Sequence, residues 1–151
     1  MRAARPTPAF ARVALALATI SAGRHFGRIY LNRYPDPLGY GKSPSRFSDP
    51  RRRIPQNRFG VLYLGESVKI CFLEAVLRDE RNGAIGLYPM VERELRNRRF
   101  AEIEVVQPLR LVELRGDGPV RMGVPSDVPR SSRHALSRAW SLGVPQSPGS
   151  A

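Results

Sequence analysis

Apolar and polar positions fall along the chain in blocks that predict a mixture of short strands and helices. Ala9 to Ile20 is an apolar run broken by Arg12. Phe26 to Leu31 reads as a short strand with one arginine, Arg28, inside it. Phe59 to Leu64 is the clearest strand, with β-branched and aromatic residues punctuated by Gly60 and Gly65. Ser67 then caps a helix from Val68 to about Asp79. Val68, Cys71, Phe72, Ala75 and Val76 keep helical spacing there, but Ile70, Leu73 and Leu77 fall on other sides. A helix apolar nearly all round is expected to be buried. Asn82-Gly83 marks a turn, and Met90 to Asn97 a short charged helix. Two strands follow, Phe100 to Val106 and Leu109 to Leu114, separated by Pro108. In the first, Ala101, Ile103 and Val105 alternate with Glu102 and Glu104, the pattern of a half-buried strand. Gly116 to Pro129 reads as loop and Ser131 to Leu142 as a last helix.

Between the first two strands lies a long irregular stretch, Asn32 to Arg58, with five prolines and six arginines. Such a stretch serves as a binding loop or lid, or is disordered. The length of 151 residues suits one domain, 23–142, with an extension over 1–22 and a disordered Pro/Ser/Gly tail over 143–151. Apolar residues make up 42% of the chain, enough for a core without staples. The single cysteine, Cys71, excludes an internal disulfide framework and a multi-cysteine zinc site, which points to the cytoplasm and to no metal. The basic start before Ala9 has the look of a secretory leader, but Arg12 interrupts it and it is too short to span a membrane. A surface helix, or an over-long start to the reading frame, fits it better.

The net charge of +12 changes the picture, because it comes from 23 arginines and only 2 lysines. GC-rich coding accounts for most of that bias. The remainder is available for anions, since guanidinium groups recognise phosphate in bidentate fashion and stay charged when half-buried. Glu74 is the first candidate for chemistry, because an ionised carboxylate on an apolar helix needs a partner or a purpose. Two readings stand: a surface pair with Arg78 four residues on, or a catalytic group. Tyr63 is either a core aromatic or a ring stacked on a planar ligand. Arg28 and Arg46 are the arginines nearest the ordered strands and the long loop. His25 and His134 lack metal-ligand spacing and read as structural. Gly39-Tyr40-Gly41-Lys42-Ser43 has the ending of a phosphate loop without its spacing, and Pro44 precludes the helix that should follow.

Four segments taken in order carry a resemblance. They are Gly27-Arg28-Ile29-Tyr30, Ser45-Arg46-Phe47-Ser48, Val61-Leu62-Tyr63-Leu64-Gly65-Glu66-Ser67 and Phe72-Leu73-Glu74. Together they resemble the RES-domain family, named for its Arg, Glu and Ser. Its pattern is an Arg-containing first strand, a Gly/Ser-Arg-Phe-Asn/Ser segment, an "LYLA-S" strand and a helical Glu eleven residues after the Tyr. Tyr63 and Glu74 are eleven apart, and the resemblance runs from about Phe26 to Trp140.

The resemblance implies an α+β fold like that of ADP-ribosyltransferases, a split sheet core with flanking helices and NAD+ in a cleft. It implies a toxin of a toxin–antitoxin pair that consumes NAD+ by phosphorolysis, hydrolysis or ADP-ribosyl transfer. The implied partner is an antitoxin with a helix-turn-helix DNA-binding region; no membrane and no direct nucleic-acid contact are implied. Arg28 and Arg46 would hold the diphosphate, Tyr63 would pack on the nicotinamide or its ribose, and Glu74 would stabilise the oxocarbenium-like charge. Ser131 best matches the family serine, with Ser132 its competitor. Two departures stand out. Ile29 occupies a position where some members have Tyr, with Tyr30 on the other face from it. Family members also continue past the last helix into a further strand, so the chain reads as truncated. A basic nucleic-acid-binding module is the alternative from another class, although the aromatics are not interleaved with the arginine clusters 51–53 and 98–99. An inactive truncated RES fragment is the third reading.

Overall fold

The computed structural model describes residues 4–51, 54–77, 85–130 and 134–144. A 3-10 turn, Pro8–Arg12, leads to strand β1 (Leu17–Ile20) and strand β2 (His25–Leu31). After the long loop come helix α1 (Val68–Phe72), a π-helical turn Leu73–Leu77 that continues it, helix α2 (Glu92–Arg96) and strands β3 (Arg98–Glu104) and β4 (Leu109–Val112). Helices α3 (Gly118–Arg121) and α4 (His134–Gly143) complete the order. The architecture is α+β: β1 pairs with β4, and β2 pairs with β3. The chain divides into two compact units that it enters alternately.

The first unit gathers Met1–Thr19, Tyr40–Val61 and Arg110–Ala151. Its core is Phe10, Met122, Val124, Val128, Leu136 and Trp140. Phe10 meets Trp140 edge-on at 4.8 Å, the arrangement that ring quadrupoles favour. This corrects the reading of Ala9 to Ile20 as a surface helix. Pro8 and Phe10 form a 3-10 turn that buries the ring, and Leu17 to Ile20, rich in positions suited to pairing, become β1. Helix α4 follows expectation, with Leu136, Ser137 and Trp140 on its buried side. Gly116 to Pro129, expected as loop, contains the single turn of α3.

The second unit gathers Ile20–Gly39 and Leu62–Leu109. Its frame is the antiparallel β2–β3 ribbon, whose register sets Gly27 opposite Glu102, Arg28 opposite Ala101 and Tyr30 opposite Arg99. The expected alternation in β3 is present, with Ala101 and Ile103 half-buried between exposed Glu102 and Glu104. Two expectations fail here. Phe59 to Leu64 is not a continuous strand: Val61 bridges Gly41 and Gly65 bridges Gly27, two isolated contacts with no ladder between them. The chain passes from one unit to the other at Val61, so one partner cannot follow the whole segment. The helix after Ser67 forms as expected, yet only Cys71 and Val76 are buried, and Val68, Ile70 and Leu73 lie exposed. A two-stranded ribbon offers one narrow face, enough to cover one stripe of a helix and no more. The expected turn at Asn82-Gly83, the pairing partner Arg78, and residues 145–151 of the tail lie outside the described residues.

Candidate functional site

In the second unit two of the singled-out residues, Tyr63 and Glu74, lie on segments that meet in one close packing arrangement. Gly27 and Gly65 exchange both backbone hydrogen bonds, N to O at 2.7 and 2.9 Å, which ties the Tyr63–Gly65 segment to β2. Helix α1 packs on this junction through Cys71, which is buried. Ser67 starts the helix by accepting a hydrogen bond from the Ile70 amide at 3.2 Å, satisfying one of the donors that a helix start leaves open. Glu74 lies one turn past Cys71, in the π-helical continuation, and is solvent-exposed. It is therefore not the buried carboxylate that the apolar pattern around it implied. Tyr63 precedes the junction and is 49% exposed, so its ring is reachable rather than committed to the core.

Arg28 sits beside Gly27 on β2, and alternation sends it to the face opposite the one on which Cys71 packs. There its guanidinium lies over the Tyr30 ring at 5.7 Å, and Nη1 donates to the carbonyl of Pro37. Arg28 and Tyr30 share a face because they are two residues apart, which brings the tyrosine to the arginine although it is not its immediate neighbour. On the exposed edge of the same ribbon, His25 Nδ1 lies 3.0 Å from Glu102 Oε1. This cross-strand carboxylate was invisible to a reading of His25 from sequence neighbours alone.

Arg46 stands in the first unit. It is only 8% exposed, and Nη1 donates to the carbonyl of Pro129 at 2.9 Å. Its loop is built by side chains bonding to backbone. Ser48 Oγ accepts from the Ser45 amide and donates to the Ser45 carbonyl, Arg138 Nε donates to that carbonyl, and Ser141 Oγ donates to the carbonyl of Phe47. Arg138 and Ser141 both lie on α4, so the helix holds the loop. Sequence reasoning missed the residue that closes it. Asp49 accepts from Arg51 Nε at 2.8 Å, from the Arg51 amide and from the Phe59 amide. The Arg51 side-chain hydrogen bond, with these amides, holds the Asp49 carboxyl far below the usual carboxylate range against the opposing effect of burial. The signal was present: Asp49-Pro50-Arg51 sets an acceptor two residues before a donor at a proline turn.

The first unit also holds an apolar cavity of about 200 Å³, bounded by Phe10, Phe47, Met122, Val128 and Trp140 among others. No ionisable side chain lines it, so it offers nothing to a phosphate. Ser131 and its competitor Ser132 lie outside the described residues. Among the described residues no group of three His, Cys, Asp or Glu could hold a metal ion, and no helix is long and apolar enough to cross a membrane.

These segments fall inside one stretch that a family model describes. The model of the RES domain matches residues 21–148. The chain belongs to the RES-domain family. The RES match covers Arg28, Arg46, Tyr63, Glu74 and Ser131 together, and includes both strands of the β2–β3 ribbon and helix α4. A relative, "Probable toxin y4kH" of Sinorhizobium fredii (strain NBRC 101917 / NGR234), is 38% identical over 65 residues. That match spans 43% of this RES chain and about half, 51%, of the relative. No solved structure matches the chain.

Proposed function

We propose that this RES domain is the toxin of a toxin–antitoxin pair and consumes NAD+ by cleaving its nicotinamide–ribose bond. The observation that carries the reading is the family match over 21–148, supported by a relative named as a probable toxin. An ADP-ribosyltransferase-like core is part of the same proposal, and so is an antitoxin partner with a helix-turn-helix region. The acceptor of the ADP-ribose is water, phosphate or a protein side chain.

The chemistry asks for three things that second-unit residues can supply. A guanidinium must bind the diphosphate, and Arg28 does so in bidentate fashion once it exchanges the Pro37 carbonyl for phosphate oxygens. A flat apolar surface must receive the nicotinamide or its ribose, and the exposed ring of Tyr63 offers one. As the glycosidic bond breaks, positive charge grows on the ribose, and a carboxylate aimed at it lowers the barrier by about 3 kcal/mol. Glu74 fills that role, and its exposure leaves it accessible to a ligand. Arg46 is committed to Pro129 through Nη1, so its contribution to the reaction includes holding the 45–51 loop in shape.

The test is nicotinamide release from NAD+, with and without phosphate. Wild-type chain is expected to release it, and Glu74→Gln to reduce the rate by about 10²- to 10³-fold with the melting temperature unchanged. A folded wild-type chain that leaves NAD+ intact overturns the reading.

A further inference from the structure

We propose that Gly65 is a positioning residue for Glu74, acting through Cys71; this rests on the functional reading above. A β-carbon at position 65 would lie 2.7 Å from Cys71 Sγ, and 3.3 Å from both the Cys71 amide nitrogen and Ile70 Cγ2. Atoms in ordinary contact stand about 3.5–4.0 Å apart, so the first of these distances cannot persist. The thiol is packed in rather than open to solvent: Cys71 is 6% exposed, and its sulfur also lies close to Gly27, where an added β-carbon would stand 3.1 Å from it. The two bare glycine backbones that the sulfur approaches are hydrogen-bonded to each other. Anything added at position 65 is therefore relieved by moving the helix.

That movement matters because of what the helix carries. Glu74 follows Cys71 by three residues on one continuous helical segment, whereas Tyr63 precedes Gly65 by two on the segment tied to β2. The Gly65–Cys71 contact is thus the spacer between the two groups that flank the reacting bond. Arg28 projects from the opposite face of β2 and does not depend on it. A shift of the helix should therefore slow the chemical step and leave substrate binding alone.

The experiment compares NAD+ consumption and melting temperature for wild type, Gly65→Ala, Cys71→Ala and the double variant Gly65→Ala/Cys71→Ala. Gly65→Ala is expected to lower kcat by about 10- to 100-fold with KM within about two-fold, since an error of about 1 Å at the reacting centre can cost 10²-fold. Removing the sulfur in the double variant is expected to restore at least half of the lost kcat. Gly27→Ala serves as a control, because its β-carbon meets Phe100 Cε2 first, at 2.6 Å, and Cys71→Ala should not rescue it. If Gly65→Ala does not fold, Cys71→Val presses on the same contact from the helix side and is expected to lower kcat likewise. Full activity in folded Gly65→Ala or Cys71→Val, or a double variant as slow as the single, overturns the inference and leaves the functional reading standing. Wild-type chain that does not consume NAD+ overturns both.

Discussion

Two arginines from the same sequence argument turn out to do different work. Arg28 is half-buried, over Tyr30 and bonded to a loop carbonyl that a phosphate could replace. Arg46 is buried and braces Pro129. Removing Arg46 leaves that carbonyl without its donor and opens space in the loop, so Arg46→Ala is expected to cost about 1–3 kcal/mol of stability, read as a lower denaturant midpoint without NAD+. Asp49 gives a prediction about pH. Its carboxyl titrates lower in the folded chain than in the unfolded one, so the unfolded state takes up the proton more readily. The stability it contributes is complete above the unfolded value, near 4, and is lost as the pH falls from there toward the folded value. Chemical denaturation from pH 6 to pH 2.5 should show that decline, and Asp49→Asn should flatten it.

The elements that were legible in the sequence are those whose cause is local. The Ser67 cap, the alternation of β3 and the amphipathic side of α4 each depend on residues within a few positions of one another. Ser67→Ala is expected to cost about 1 kcal/mol and to lower the melting temperature measurably, since α1 is short and the cap supplies much of its start. The elements that were not legible depend on distant partners. Phe59 to Leu64 has good strand composition, but Val61 bridges Gly41 in one unit while the next bridge, from Gly65 just past the segment, goes to Gly27 in the other. Apolar spacing around Val68 to Leu77 indicated burial on all sides, but nothing in that segment states how wide a surface the ribbon would offer it. Of the candidate site, Arg28, Tyr63 and Glu74 were legible as residue types at a family spacing. Of the glycines that let the helix approach, Gly65 read as the end of a strand and Gly27 as part of another, because close packing between segments leaves no local trace.

At the scale of the whole molecule, the chain crosses between units after Thr19, Gly39, Val61 and Leu109. The second unit is complete by Leu109, whereas the first needs its core residues Met122, Val124, Val128, Leu136 and Trp140 from the last third of the sequence. A fragment of residues 1–109 is therefore expected to be cut by protease within 4–19 and 40–61, and to resist cutting in β2 and β3. Mapping of the early cleavage sites by mass spectrometry checks this. The charge of +12 belongs to this scale too, since it favours an acidic partner and makes association faster at low salt.

The alternating path also bears on the order in which the molecule is made. On a ribosome, the segment bearing Arg28, Tyr63 and Glu74 emerges while the Arg46 loop still lacks α4, the helix whose Arg138 and Ser141 hold it. At ordinary rates of synthesis, that interval lasts on the order of seconds. For a protein proposed to be harmful to its own cell, those seconds are a period in which the proposed catalytic carboxylate exists and the finished chain does not.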